Sequence, residues 1–365
     1  MSTKRKTVDC EIENSSTKSA KVRHSQWWQQ GPIYHIYPKS FCDSNADGIG
    51  DLQGLLTKIT KLYFNFFSPL GIAKHVDYLK QLDVKGIWIS PIFASPMVDH
   101  GYDISNYTDI DPIFGTIEDF KFLTSKCTSQ GIKIILDFVP NHTSDQHEWF
   151  VKSCQKIHPY TDFYIWHKGK ADGQPPNNWI SVFGGSAWQY NETRKEYYLH
   201  QFYKEQPDLN LRNPEVVLEL EKVLRFWLDL GVAGFRIAAV PHFFEDERFL
   251  DEEVLSEKDP NAYDSVTRKY TYNLQPEVNN LLKKFRDVLD EFTSKDGIDR
   301  LMMTEAYVSD DELMEYYGEI DEITGIGSIS QMPVNFGLVS NLSNPEDITP
   351  TKVSFQMRKK GFLQN

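Results

Sequence analysis

From Gln26 onward, short apolar runs alternate with helical patterns, and few architectures accommodate that order. The runs fall at residues 32–37, 86–91, 133–139, 234–237, 301–306 and, more weakly, 328–335. Each is about the length of a strand, and strands separated by helices pair in parallel, because a parallel pair needs a crossover that a helix supplies. A six-stranded parallel α/β sheet is therefore expected. The helices carry their own signals. Asn213 stands as a cap before Pro214, and Val216, Val217, Leu220, Val223, Leu224, Trp227 and Leu228 then share one face before Gly231 ends the pattern. Thr116, with Asp119 three residues on, opens a second helix that buries Phe120, Leu123 and Cys127 and stops near Gly131.

Composition narrows the function. At 365 residues, 40% hydrophobic and 25% charged, the chain is globular rather than compositionally disordered. A net charge of −13 argues against a nucleic-acid partner, since that affinity comes largely from Lys and Arg neutralising phosphates. Four cysteines, Cys10, Cys42, Cys127 and Cys154, show no metal-ligand spacing. Residues 1–26 read as a disordered polar tail without the apolar core of a signal peptide. No apolar run approaches the roughly 18 residues that span a bilayer, so a cytoplasmic address without a membrane segment is expected.

Several words place polar groups where such a sheet builds sites. His100-Gly-Tyr-Asp103 and Asp137-Phe-Val-Pro-Asn-His142 follow the second and third strands, and Glu305 ends the fifth. Asp43-Ser-Asn-Ala-Asp-Gly-Ile-Gly-Asp51 sets oxygen side chains at alternate positions with glycines for a tight turn, the pattern of a hard-cation loop, although no Glu follows as in an EF-hand.

These words, with Gly231-Val-Ala-Gly-Phe-Arg-Ile-Ala-Ala239, Trp27-Trp28-Gln29, Ile33-Tyr-His-Ile-Tyr-Pro38 and Gln206-Pro-Asp-Leu-Asn210, resemble the oligo-1,6-glucosidase and α-glucosidase branch of the α-amylase family, glycoside hydrolase family 13. The wording Pro241-His…Phe244-Glu-Asp-Glu-Arg-Phe-Leu250 is similar to insect maltases and sucrases. The resemblance implies a (β/α)8 TIM-type barrel with a domain B after strand 3, and α-glucoside oligosaccharides or sucrose as substrates. On that reading residues 27–140 begin the barrel, 141–212 are domain B and 213–365 continue the barrel, with about six of eight strands and no C-terminal β domain. A retaining double displacement is implied, with Glu305 as general acid/base. Tyr102, Asp103, His142 and Arg236 are implied to hold substrate, and Asp137, Asn141 and Asp208 to have structural roles. The resemblance also implies a structural Ca2+ on Asp43, Asn45, Asp47, the Ile49 carbonyl and Asp51, and no organic cofactor.

Two departures stand out. The family's nucleophile is an Asp two residues after the strand's Arg, and here Ala238 occupies that place. The family's third acid lies in an Asn-His-Asp word that does not occur here. Little or no hydrolysis is therefore expected, with a non-enzymatic chain akin to amino-acid-transporter heavy chains, or a sugar-binding pseudoenzyme, as alternatives. Residues 55–71 interrupt the first barrel helix pattern and read as an anomalous insertion of translated intron or mis-spliced sequence.

Overall fold

The structure is a computed structural model that describes residues 25–60, 79, 82–256, 258–322, 324–334 and 336. Six parallel strands form its central sheet: β1 (Ile33–Ile36), β2 (Gly86–Ile89), β3 (Lys133–Phe138), β4 (Gly234–Ile237), β5 (Leu301–Thr304) and β6 (Met332–Pro333). They lie side by side in chain order, every pair parallel, with β1 and β6 at the edges among the described residues. All six expected strands form, each at or inside its expected span. The sixth is the most shortened, and residue 335 of its span lies outside the described residues.

Four longer helices matter for packing: α1 (Leu52–Thr60), α2 (Ile117–Ser129), α3 (Pro214–Asp229) and α4 (Glu277–Asp296). Thr116 and Asp119 close the expected capping box at the start of α2, and the Asn213 side chain accepts from the Glu215 amide at the start of α3. Every residue of the expected α3 stripe is buried. Side chains in a strand alternate between faces, and that period sorts the core into two layers. Ile134, Leu136 and Phe138 of β3, with Phe235 and Ile237 of β4, belong to the main cluster that includes the buried stripes of α2, α3 and α4. The alternate face carries Ile135, Leu301, Met303 and Trp28, with Trp88 packed against them, inside the curl of the sheet. Gly234 must lack a side chain, because a Cβ there would meet the Leu301 carbonyl oxygen at 2.4 Å.

Between β3 and α3 the chain makes the expected long excursion. It holds a short helix (Glu148–Cys154) and a three-stranded antiparallel sheet of Trp166–His167, Glu196–Leu199 and Trp188–Asn191, with its own core of Ile165, Trp179, Ala187, Trp188 and Leu199. The span read as an insertion, residues 55–71, is described only as far as residue 60. Residues 55–60 continue α1, where Leu55 and Leu56 are buried in the main core because they lie on its apolar stripe. Residues 61–71, the tail up to residue 24 and residues 337–365 lie outside the described residues.

Candidate active site

The alternation that points Ile135 inward also points Asp137 inward two residues later, at the carboxyl end of β3. The same period aims Trp88 of β2 and Arg236 of β4, and Asp137 is in register with Arg236. Their side chains meet. Arg236 Nη1 donates to Asp137 Oδ1 at 2.7 Å, and Arg236 Nη2 pairs with Glu305 Oε1 at 2.6 Å. Trp88 Nε1 donates to the other Asp137 oxygen at 2.8 Å, and its ring stacks on His35, centroids 3.8 Å apart. His35 Nε2 in turn meets Ser90 Oγ at 2.8 Å. Four neighbouring strands thus supply one polar layer, buried at Asp137 and Arg236, half-buried at Trp88 and exposed at His35.

Burial raises the Asp137 carboxyl to about 6, while Arg236 and the Trp88 N–H oppose any further rise. For Arg236 burial works against the charge, yet Asp137 and Glu305 outweigh it and hold the guanidinium above its ordinary range. His35 is held below its usual value, first by burial and then by Arg236.

Just past β4 the backbone turns sharply. Ala239 adopts φ 54°, ψ 33°, a left-handed conformation that costs a non-glycine residue about 1–2 kcal/mol. The turn aims the Ala239 amide at Glu305 Oε2, 2.9 Å away. Glu305 is thereby held at both oxygens, one by Arg236 and one by Ala239. The preceding residue, Ala238, is anchored through its amide to the Phe138 carbonyl and is 2% exposed.

A cleft of about 330 Å³ opens over this layer, lined among others by Asp99, Tyr102, His142, Arg236, Ala238 and Glu305. Tyr102, His142, Arg236, Ala238 and Glu305 are therefore brought together as the sequence implied. Asp103 is not. Its carboxylate is fully buried and accepts from Ser95 Oγ and from the Val98 and Asp99 amides, so it ties its own loop and is not among the residues lining the cleft. The acid that does line it is Asp99, three residues before Tyr102, and the sequence reading missed it. Asp99 stands immediately before the word His100–Asp103, and only the turn at His100 (φ 52°) and Gly101 (φ 105°) decides which of the two carboxylates faces the cleft.

The excursion fixes this wall. Gln206 Nε2 donates to Asp99 Oδ2 at 2.9 Å and also meets His142 Nε2 at 3.0 Å. Asn141 Nδ2 lies 3.1 Å from His142 Nδ1 and 3.4 Å from Asp208 Oδ1, and Asp208 accepts from Gln201 Nε2 at 2.7 Å. Asn141 and Asp208 thus brace His142 and Gln201, while Asp137 serves Arg236 and Trp88. Burial lowers His142 to about 3, with only a backbone bond at Tyr102 opposing it, so the ring is neutral at physiological pH. Asp99 is raised by burial against the pull of Gln206. His242 also lines the cleft, lowered by burial to about 3, and its Nδ1 meets Gln201 Oε1 at 2.9 Å. Val182, Phe183 and Phe202 bring the excursion over the opening.

A pattern describing the α-amylase catalytic domain matches residues 70–359, some four-fifths of the chain. The chain belongs to the α-amylase family. It is 47% identical over 338 residues to Maltase 1 of Drosophila virilis, covering 91% of this chain and 50% of that protein. It is 45% identical over 333 residues to a salivary α-glucosidase of Anopheles gambiae, covering 88% of this chain and 52% of the relative. Among solved structures, an α-glucosyl transfer enzyme superposes with a TM-score of 0.76 at 35% identity, over 94% of this chain and 59% of that one. The chain spans about half the length of the curated relatives it matches. The parallel sheet is thus the family's barrel, and the described residues supply six of its strands.

Two expectations shift. No helix among the described residues is long and apolar enough to cross a membrane, but the cytoplasmic address gains nothing from a family member that carries "salivary" in its name. The loop of residues 43–51 offers oxygen donors of the type calcium takes. Among the described residues, however, no three acidic, His or Cys side chains gather as a metal site. Asp43 accepts from the Asn45, Ala46 and Gly48 amides, and Asp51 accepts from Ser44 and the Gly54 amide. The donor chemistry fits calcium; the arrangement as it stands does not form a cage.

Proposed function

We propose that this chain binds α-linked glucosides of the maltose and sucrose kind in the cleft over β3, β4 and β5, and that it does not hydrolyse them by the family's covalent route. One observation carries the reading: of the residues lining the cleft, the carboxylates are Asp99 and Glu305, and Ala238 presents a methyl where the attacking oxygen belongs. A retaining glycosidase needs two carboxyl groups about 5 Å apart across the sugar. Glu305 stands as the acid that protonates the glycosidic oxygen, steadied by Arg236 and the Ala239 amide. Asp99, Tyr102 and His142 form the wall for the sugar's hydroxyls and ring, and residues 141–212, as a domain B, cover it. Without the nucleophile several powers of ten in rate are lost, and what remains is positioning and electrostatics.

The experiment pairs titration calorimetry with kinetics. Maltose or acarbose should give a saturable heat, while maltose, sucrose and 4-nitrophenyl α-glucoside should turn over no faster than the buffer rate. Absence of sugar binding, or turnover with a glucosylated peptide trapped by mass spectrometry, would refute the reading. The transporter-partner alternative has no particular feature of the cleft in its favour. A calcium ion on Asp43, Asn45, Asp47, the Ile49 carbonyl and Asp51 belongs to the same proposal. It is supported by the oxygen donors and requires Asp51 to turn from Ser44.

A further inference from the structure

The floor of the cleft points to a second activity. We infer that, with a small monoanion such as azide or formate as co-substrate, this chain transfers glucose from an α-glucoside to that anion with inversion at the anomeric carbon. The inference rests on the binding reading above, that the glycosidic oxygen is presented to Glu305.

Three observations converge on it. The cleft reaches Ala238, and the neighbouring Val139 and Ala239 side chains that also line it are small, so a triatomic anion has room where a carboxylate would project. Ala238 itself is pinned by its amide to Phe138, so the methyl stays at the floor. Next, Arg236 lines the same cleft, and although its two terminal nitrogens are engaged, its buried Nε has no partner, leaving one cationic N–H unspent on a side chain 7% exposed. Finally, Glu305 remains in place on the next strand, its side chain 20% exposed.

The step balances without any further reactant. The anion's lone pair forms the new bond to the anomeric carbon from the side of Ala238, and the bond to the glycosidic oxygen breaks with its electron pair. That oxygen takes the proton of Glu305, which regains one from water. The α-glucoside and hydrazoic acid become β-glucosyl azide and the free alcohol. No glucose is ever bonded to the protein.

The rate has an upper limit. A tethered carboxylate acts at an effective molarity of about 10⁵ M or more, so an external anion at roughly 1 M recovers at most about one part in 10⁵ of that advantage. Losing a nucleophile removes about 10⁶ in kcat, so the anion should raise the rate by up to roughly tenfold over none.

The test follows 4-nitrophenol release from 4-nitrophenyl α-glucoside by the full chain in sodium azide, formate, benzoate or chloride at equal ionic strength, with the product anomer read by proton NMR. Azide and formate should accelerate release by up to about tenfold, benzoate should not because it exceeds the space at Ala238, and the azide product should be the β anomer. Ala238→Val, which fills the floor, should lose the azide response when it is compared with the parent chain at sugar concentrations that give equal occupancy by calorimetry. An α-configured azide, equal acceleration by benzoate, or no azide response by a chain that binds maltose would overturn this inference while leaving the binding reading intact. Failure to bind maltose would instead overturn the binding reading.

Discussion

Replacing Arg236 by Met isolates the electrostatics on which the site is built. The guanidinium lies 2.7 Å from Asp137 and 2.6 Å from Glu305, and the Asp137 side chain is fully buried. Removing one partner of a buried pair leaves an uncompensated charge and costs about 3–5 kcal/mol. Asp137 has a second way out, because a buried carboxyl can take a proton. Its folded value of about 6 already exceeds the ordinary 3.8, so ionising it disfavours the fold, and stability from this group falls as pH rises from about 4 through 6. Without Arg236 the folded value rises further and the fall continues to higher pH. Each unit of that extension adds about 1.4 kcal/mol to the loss. Arg236→Met should therefore be mildly destabilising at pH 5, where Asp137 is protonated in both proteins, and destabilising by about 3–5 kcal/mol at pH 8. Adding Asp137→Asn should recover most of the pH 8 loss, since the amide oxygen still accepts from Trp88 Nε1. Urea unfolding of the four proteins of this cycle at both pH values measures it. An equal loss at pH 5 and pH 8, or an Asp137→Asn loss that simply adds to that of Arg236→Met, would show that the Arg236–Asp137 pair does not govern the layer.

Two other outcomes follow from the site and the acidic loop. Gln206→Leu removes the bond to the half-buried Asp99 and the contact with the buried His142, which loses a partner at about 1–3 kcal/mol, so maltose affinity by calorimetry should fall about tenfold. An unchanged affinity would remove the excursion from the binding wall. Calcium added to chelator-treated protein should raise the thermal midpoint and EDTA should reverse it, whereas Asp47→Ala should abolish the response; a flat midpoint with calcium would dismiss the ion from residues 43–51.

The strand and helix order was legible because burial imposes a period that sequence displays directly. Alternation along β3 and the 3.6-residue stripe of α3 are properties of neighbours in the chain, and local signals such as the Thr116–Asp119 box and the Asn213 cap act within a turn. Ala238 and Glu305 were readable through the resemblance to the family's strand-end words, since each follows a strand at a countable distance. What the words left open was direction and partnership. Asp99 and Asp103 are one turn apart, and the left-handed backbone between them decides that Asp99 meets the cleft while Asp103 closes the loop. The fate of Leu55 and Leu56 likewise depended on the core that receives α1. The joining of Asp137 to Arg236 across 99 residues, and of Gln206 to Asp99 across 107, comes from sheet register and from the path of the excursion. Those contacts depend on distance in space, and linear order carries no measure of it.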